Sequence, residues 1–221
     1  MTKSIKSVIV IGATGLVGRE LLKQLNQFEV CEKITAVVRH ENAQLQTLEK
    51  VQQFILDDFL LLNDEDVNGY SHAFSCLGTT LKKSGSKEKF YNIDYEINAH
   101  FADLFESTST HYLLISAMGA NADSKFFYNK VKGKLENHIQ DLKLEHVSIV
   151  RPSLLLGDRS EQRTLEDMTQ KLYQKLSHFV PNTFKYKPVT AAQVARTMLK
   201  AAQFQTDKFE IYDNLAIQNS K

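Results

Sequence analysis

Val8-Ile9-Val10-Ile11-Gly12-Ala13-Thr14-Gly15-Leu16-Val17-Gly18 is the stretch on which the reading of this chain turns. An apolar β-branched run stops at three glycines spaced three apart, and Val17, Leu21 and Leu25 then recur every four residues. That pattern predicts a buried strand, a tight turn and an amphipathic helix. Glycine suits the turn for three reasons: it permits a sharp reversal, it lets backbone amides approach a pyrophosphate, and it allows close helix–strand contact. The helix start then offers unpaired N–H groups and a positive dipole end to an anion. A glycine trio alone also ends strands in folds that bind no nucleotide. Its place directly after the first apolar run points instead to dinucleotide binding, with Gly12 and Gly15 as candidate cofactor contacts. The spacing is G-x-x-G-x-x-G, not the G-x-G-x-x-G of typical dehydrogenases.

Further strands are expected at Ile34–Val38, ending at Arg39-His40, and at Phe54–Leu56, closed by Asp57-Asp58. Others follow at 72–77, closed by Gly78-Thr79-Thr80, at Tyr112–Ile115, ending at Ser116, and at Val147–Val150, ending at Arg151-Pro152. Between them lie a polar segment at 42–53 with a short helix and a helical pattern over roughly 87–106, marked by Ile93, Ile97, Phe101 and Phe105. A helix at about 126–142 carries Val131, Leu135, Ile139 and Leu142 on one face. Strands alternating with helices call for an α/β fold, a Rossmann-type doubly wound parallel sheet with right-handed crossovers. Beyond about residue 152 the character changes. A helix is expected over Leu165–Leu176 and another from Thr190, its N-cap, through Ala202. Extended pieces near 184–189 and 209–212 should pair with the sheet edge or with each other. The expectation is one nucleotide-binding domain over residues 1–221, in which 153–221 form a small C-terminal lobe above the strand ends.

The composition excludes several classes. With 27 basic and 26 acidic residues among 221, there is no charge footprint for nucleic acid or an anionic membrane surface. No apolar run approaches the ~18–20 residues of a membrane span. The opening Met-Thr-Lys-Ser-Ile-Lys runs straight into the first strand, leaving no room for a signal peptide. Cys31 and Cys76 form no C-x-x-C, which suggests reduced thiols in a soluble, cytoplasmic protein. The seven histidines show no metal-ligand spacing, so no metal is assigned, and no G-x-S-x-G elbow is present. Lys82, Lys83, Lys87 and Lys89 cluster around Ser84-Gly85-Ser86 and read as a solvated loop. An apolar face at Phe101 and Phe105 would serve a homodimer contact or the core equally well.

Arg39 stands where dinucleotide folds often carry an acid that binds the adenosine ribose hydroxyls. An arginine there would pair with a 2′-phosphate, favouring NADP(H) over NAD(H). His40 adjoins it. Asp58 could accept a hydrogen bond from an adenine amino group; Asp57 is equally placed, and an Asp here could equally cap a turn. Tyr128 and Lys132 form a Tyr-x-x-x-Lys pair on one helix face, and Ser116 closes the preceding strand. Tyrosine titrates near pH 10 in water, and a nearby ammonium would favour its phenolate form. Ser116 could orient a substrate carbonyl or hydroxyl beside it.

These residues resemble the short-chain dehydrogenase/reductase superfamily in its atypical and extended branches. The resemblance rests on the glycine spacing, Cys76-Leu77-Gly78-Thr79-Thr80, Leu114-Ile115-Ser116 with Gly119-Ala120, Tyr128-x-x-x-Lys132-Gly133 and Arg151-Pro152. Together they look like the Tat-interactive-protein-like oxidoreductases, from about residue 5 to 160 and more loosely through Pro188-Val189 and Val194-Ala195. The resemblance implies NADP(H) lying across the switch point of the sheet. Ser116, Tyr128 and Lys132 would be the catalytic triad. Gly12, Thr14, Gly15, Leu16, Val17, Arg39, Asp58, Leu77, Gly78 and Lys132 would contact the cofactor, with Arg151, Pro152 and Ser153 near its nicotinamide end. The fourth member of the usual tetrad, an Asn, has two candidates in Asn92 and Asn98, and Ala117 stands where relatives often carry a second serine. The activity implied is hydride transfer to or from a small carbonyl or alcohol substrate, with Tyr128 as acid/base. The alternative class is an NADP(H)-binding regulatory or interaction protein with little or no turnover, which needs Arg39 and the glycine turn but not Tyr128.

Overall fold

Burial on both faces decides the central sheet. In β1 (Ser7–Ile11), Val8 and Val10 enter one apolar cluster while Ile9 and Ile11 enter another on the opposite side. The same division runs through β2 (Lys33–Val38), β4 (His72–Ser75), β5 (His111–Ile115) and β6 (His146–Val150). Such strands read as unbroken apolar runs, as parallel strands covered on both faces do. The outer strand β3 (Val51–Ile55) is only partly buried. In the computed structural model, which describes residues 4–156 and 184–220, the sheet order is β3-β2-β1-β4-β5-β6-β9, with β9 at Phe209–Tyr212. All neighbours are parallel. This is the doubly wound Rossmann-type arrangement expected.

Helices cover both faces. The Val8/Val10 side is closed by α1 (Leu16–Asn26), the short α2 (Ala43–Gln46), and α8 (Ala191–Phe204) with α9 (Asn214–Gln218). The Ile9/Ile11 side is closed by α3 (Asp64–Val67), α6 (Ile97–Asp103) and α7 (Phe127–Asp141). Two further short helices, α4 (Leu81–Ser84) and α5 (Lys87–Tyr91), lead from β4 towards α6. Thr190 caps α8 as expected, in a box with Gln193. The 209–212 piece joins the sheet edge beside β6, while Leu155–Leu156 (β7) pairs with Val189–Thr190 (β8). Residues 189–220 therefore extend the sheet and cover one of its faces. The expected helix at Leu165–Leu176 lies outside the described residues.

The pattern at 87–106 is not one regular helix. A π-helical turn at Asn92–Glu96 separates α5 from α6. The side chain of Asn98 donates to the Ile93 carbonyl at 2.8 Å, satisfying an acceptor within the widened turn. The extra residue rotates Asp94 and Asn98 inward, and both are fully buried, whereas Ile93 and Ile97 are only half-buried. Phe101 and Phe105 sit in the core, so that face is not available to a second subunit.

The glycine turn is fixed by contact. Gly12 has φ +72°, and a β-carbon there would lie 2.4 Å from the Cys76 carbonyl carbon and the Leu77 nitrogen. A β-carbon on Gly18 would lie 2.2 Å from the Gly12 oxygen. Gly18→Ala is therefore expected to cost about 1–3 kcal/mol through overpacking, read as a lower urea midpoint. Gly85→Ala, where nothing lies within 4 Å, should cost only the left-handed backbone term of about 1 kcal/mol. Equal midpoints for the two variants would refute the close packing of α1 on the turn.

Candidate functional site

Because every strand of the main sheet is parallel, the ends of the strands share one rim. Two clefts open there, of about 1110 Å³ and about 1510 Å³, sharing Thr14, Leu77, Thr79 and Lys83 in their walls. Gly12, Arg39, Asp57 and Asp58 line the larger one. Gly15, Leu16, Val17, Gly78, Ser116, Tyr128, Lys132 and Pro152 line the other. Gly15 is the N-cap of α1 and supplies no side-chain cap, and the first turn holds no acid. Its N–H groups and positive dipole end are thus directed at the cleft, as an anion site requires.

Arg39 is exposed on the wall of the larger cleft. Asp58 both faces that cleft and caps the 3-10 turn Phe59–Leu61, its Oδ1 accepting from the Leu60 amide at 3.0 Å. The lysine cluster is exposed but lies on the short helices α4 and α5, not on a loop, and Lys82 and Lys83 line the smaller cleft and Lys83, Lys87 and Lys89 the larger. It overlooks the whole site.

At the other end, Ser116 follows β5, tied by its amide to the Val150 carbonyl at 2.9 Å. Its Oγ is buried with no hydrogen-bond partner among the described residues. Tyr128, on the first turn of α7, is 36% exposed and packs its ring 5.7 Å from that of Phe90. Four residues on, Lys132 is buried and forms a 2.8 Å ion pair with Asp94. Burial works to lower the Lys132 pKa, but the Asp94 carboxylate, with smaller help from Tyr128 and Glu136, raises it above the ordinary lysine value. Gly133 lets α7 approach the preceding loop: a β-carbon there would lie 2.2 Å from the Ala122 nitrogen.

Asp94 was not among the residues anticipated from sequence. It is fully buried, and its second oxygen accepts from the Thr79 amide at 2.8 Å. Among the described residues, the hydrogen bonds of the two Asn candidates go elsewhere than Lys132. Asn98 accepts from Ser75 and donates to Ile93, and Asn92 donates to Glu96 at 2.7 Å. Pro152 lies in the cleft wall, but the Arg151 guanidinium is turned to Glu136, with Nε 3.0 Å from its Oε1 and a second contact from Nη2 to Oε2.

A Rossmann-type sheet, a glycine turn under an open cleft, and a Ser–Tyr–Lys set on its rim define a protein of the dinucleotide-binding fold. A family model described as HIM1 matches residues 28–190, and the chain belongs to this HIM1 family. It is 34% identical over 207 residues to protein FMP52-1, mitochondrial, of Scheffersomyces stipitis, covering 91% of this chain and 90% of that protein. It is 31% identical over 217 residues to protein HTATIP2 of Rattus norvegicus, covering 96% and 88%. The family resemblance drawn from the motifs is thereby borne out. Among solved structures, UDP-glucuronic acid 4-epimerase from Bacillus cereus in complex with NAD shares the fold, with a TM-score of 0.69 at 12% identity over 93% of this chain and 76% of that one. One expectation is overturned. FMP52 relatives are named mitochondrial, so the cytoplasmic assignment, which rested on cysteine usage and the first few residues, is withdrawn.

The Glu136–Arg151 pair ties α7 to the end of β6. Glu136→Leu leaves a guanidinium that is 30% exposed without its carboxylate, and should lower unfolding free energy by about 1–2 kcal/mol. Arg151→Met added to it should recover most of that loss in urea denaturation; additive losses would show the pair to be uncoupled.

Proposed function

We propose that this protein is an NADP(H)-dependent oxidoreductase of the short-chain dehydrogenase/reductase type, acting on a small carbonyl or alcohol. The observation that carries the reading is Ser116 Oγ. It is buried and unpartnered, in the wall of the same cleft as Tyr128 and Lys132. A buried hydroxyl without a partner is costly unless a ligand completes it.

The residues present fit a nicotinamide dinucleotide. Without side chains at Gly12 and Gly15 the turn lies close against the Cys76–Leu77 backbone and its own carbonyl, which keeps the amides at the start of α1 uncovered, and that uncapped start suits a diphosphate. Thr14, Leu16 and Val17 would hold the phosphates, with Leu77, Gly78 and Lys132 along the ribose. Arg39 and Asp58 would hold the adenosine half, Arg39 pairing with a 2′-phosphate. Pro152 would bound the nicotinamide end, with Arg151 bracing it from behind through Glu136. Bound there, the cofactor supplies or accepts the hydride. Ser116 would hold the substrate oxygen by a hydrogen bond. Tyr128 would give its phenolic proton to that oxygen during reduction, or take it during oxidation. The buried ammonium of Lys132 would stabilise the phenolate so formed.

Tyr128→Phe tests the chemistry. NADPH consumption with a panel of aldehydes and ketones should fall at least about 100-fold, while NADPH affinity by calorimetry stays within about threefold. Binding without turnover across the whole panel in the wild type would favour the regulatory alternative. Arg39→Ala tests cofactor choice. It should weaken NADPH binding by about 10–100-fold, the loss of one charge-assisted contact, and leave NADH binding nearly unchanged. Equal effects on both coenzymes would remove Arg39 from the 2′-phosphate site.

A further inference from the structure

We infer that Asp94, on the π-helical turn, is a positioning residue that locks Lys132 and the Gly78–Thr79 turn into a single wall of the cleft. The inference rests on the oxidoreductase reading for its functional consequence, and on geometry for its existence. One carboxylate oxygen pairs with Lys132 Nζ at 2.8 Å and the other accepts from the Thr79 amide at 2.8 Å. Asp94 is 0% exposed and Lys132 3%, so the pair sits in a medium where each charge depends on the other. Gly78 lies directly over it. A β-carbon there would stand 3.2 Å from Asp94 Oδ1 and 3.5 Å from Lys132 Nζ, so no side chain separates the pair from the cleft. The two elements joined are otherwise distant in sequence: the loop after β4 and the helix that presents Tyr128.

The π-turn is what makes this contact. The inserted residue rotates Asp94 to the interior face, and the Asn98 side chain donates to the Ile93 carbonyl in the same turn. The amides of Asn92 and Asn98 are engaged elsewhere, so the role of holding the lysine falls to a carboxylate. A carboxylate differs from an amide in one decisive way. It keeps a buried ammonium charged, so Lys132 retains its three donors over the whole working pH range.

The test is Asp94→Asn, which keeps an oxygen for the Thr79 amide and removes only the charge. The 13Cε resonance of Lys132, identified by its loss in Lys132→Met, should report an ammonium that persists above the ordinary lysine midpoint in the wild type. In Asp94→Asn its titration should move to clearly lower pH than in the wild type, because burial is then opposed only by the smaller contributions of Tyr128 and Glu136. Compared with the wild type at the same pH, the variant's NADPH affinity should be equal where its Lys132 is still an ammonium and fall about tenfold as pH rises through the variant's lysine titration. An unchanged Lys132 titration overturns the inference, as does a loss of affinity that is the same at every pH. A wild type that binds neither reduced coenzyme removes the oxidoreductase reading, and the lysine titration still decides whether Asp94 holds the charge. Should Asp94→Asn not fold, Asp94→Glu keeps the charge but displaces the ammonium by a methylene. It should leave the titration intact and weaken NADPH about tenfold; unchanged affinity would overturn the inference.

Discussion

The carbonyl oxygen of Gly12 occupies the space that any side chain at Gly18 would need. This one contact sets how closely α1 lies on the end of β1, and much of the molecule follows from it. With α1 seated so low, Leu21, Leu22 and Leu25 reach the Val8/Val10 face of the sheet and are wholly buried. The helix axis then points its N-terminus at the gap between the strand ends. A bulkier turn would move the dipole end away from that gap and open the core beneath it. Packing and anion recognition are here the same constraint, because both need backbone to approach backbone with nothing between.

The opposite side of the site is held by charge. Along α7, Tyr128, Lys132 and Glu136 recur every four residues, and the latter two are each paired with a residue from another element, Asp94 and Arg151. The apolar stripe of Val131, Leu135 and Ile139 binds the helix to the sheet but would tolerate a small slide along it. One buried ion pair and one partly buried pair, a turn apart, do not. Such pairs add little net stability, since desolvation offsets much of their attraction, but a misplaced one is very unfavourable. Their effect is to fix where Tyr128 stands relative to Ser116.

The sheet was largely legible in the sequence because its strands are doubly covered. Runs such as Val8–Ile11, Ile34–Val38 and Val147–Val150 need apolar residues at every position, and the glycine turn marks which helix follows the first. The strand ends named the rim, and with it Arg39, Ser116 and Pro152. What escaped was whatever depends on a partner far along the chain. Asp94, in Asn92-Ile93-Asp94-Tyr95-Glu96, has the look of a solvated acid on a helix of ordinary period; only the π-turn shows it inside, against Lys132. Glu136 was hidden in the same way on an otherwise charged helix, which is why Arg151 was assigned to the cofactor alone. The capping role of Asp58 was foreseen as an alternative, and it coexists with a place in the cleft wall. The cytoplasmic assignment failed for a different reason: cysteine spacing and a short N-terminal stretch say little about where a chain resides.

α8 lies alongside α1, and the Gln24 side chain reaches across to the Ala192 carbonyl at 3.2 Å. The helix that follows the glycine turn is thus roofed by a segment far along the chain, and β9 joins the sheet later still. α8 begins 165 residues after α1 ends, so translation at about 5–20 residues per second leaves that side of α1 uncovered for about 8–33 seconds. During that interval the side of α1 that α8 will cover is a greasy surface open to chaperones.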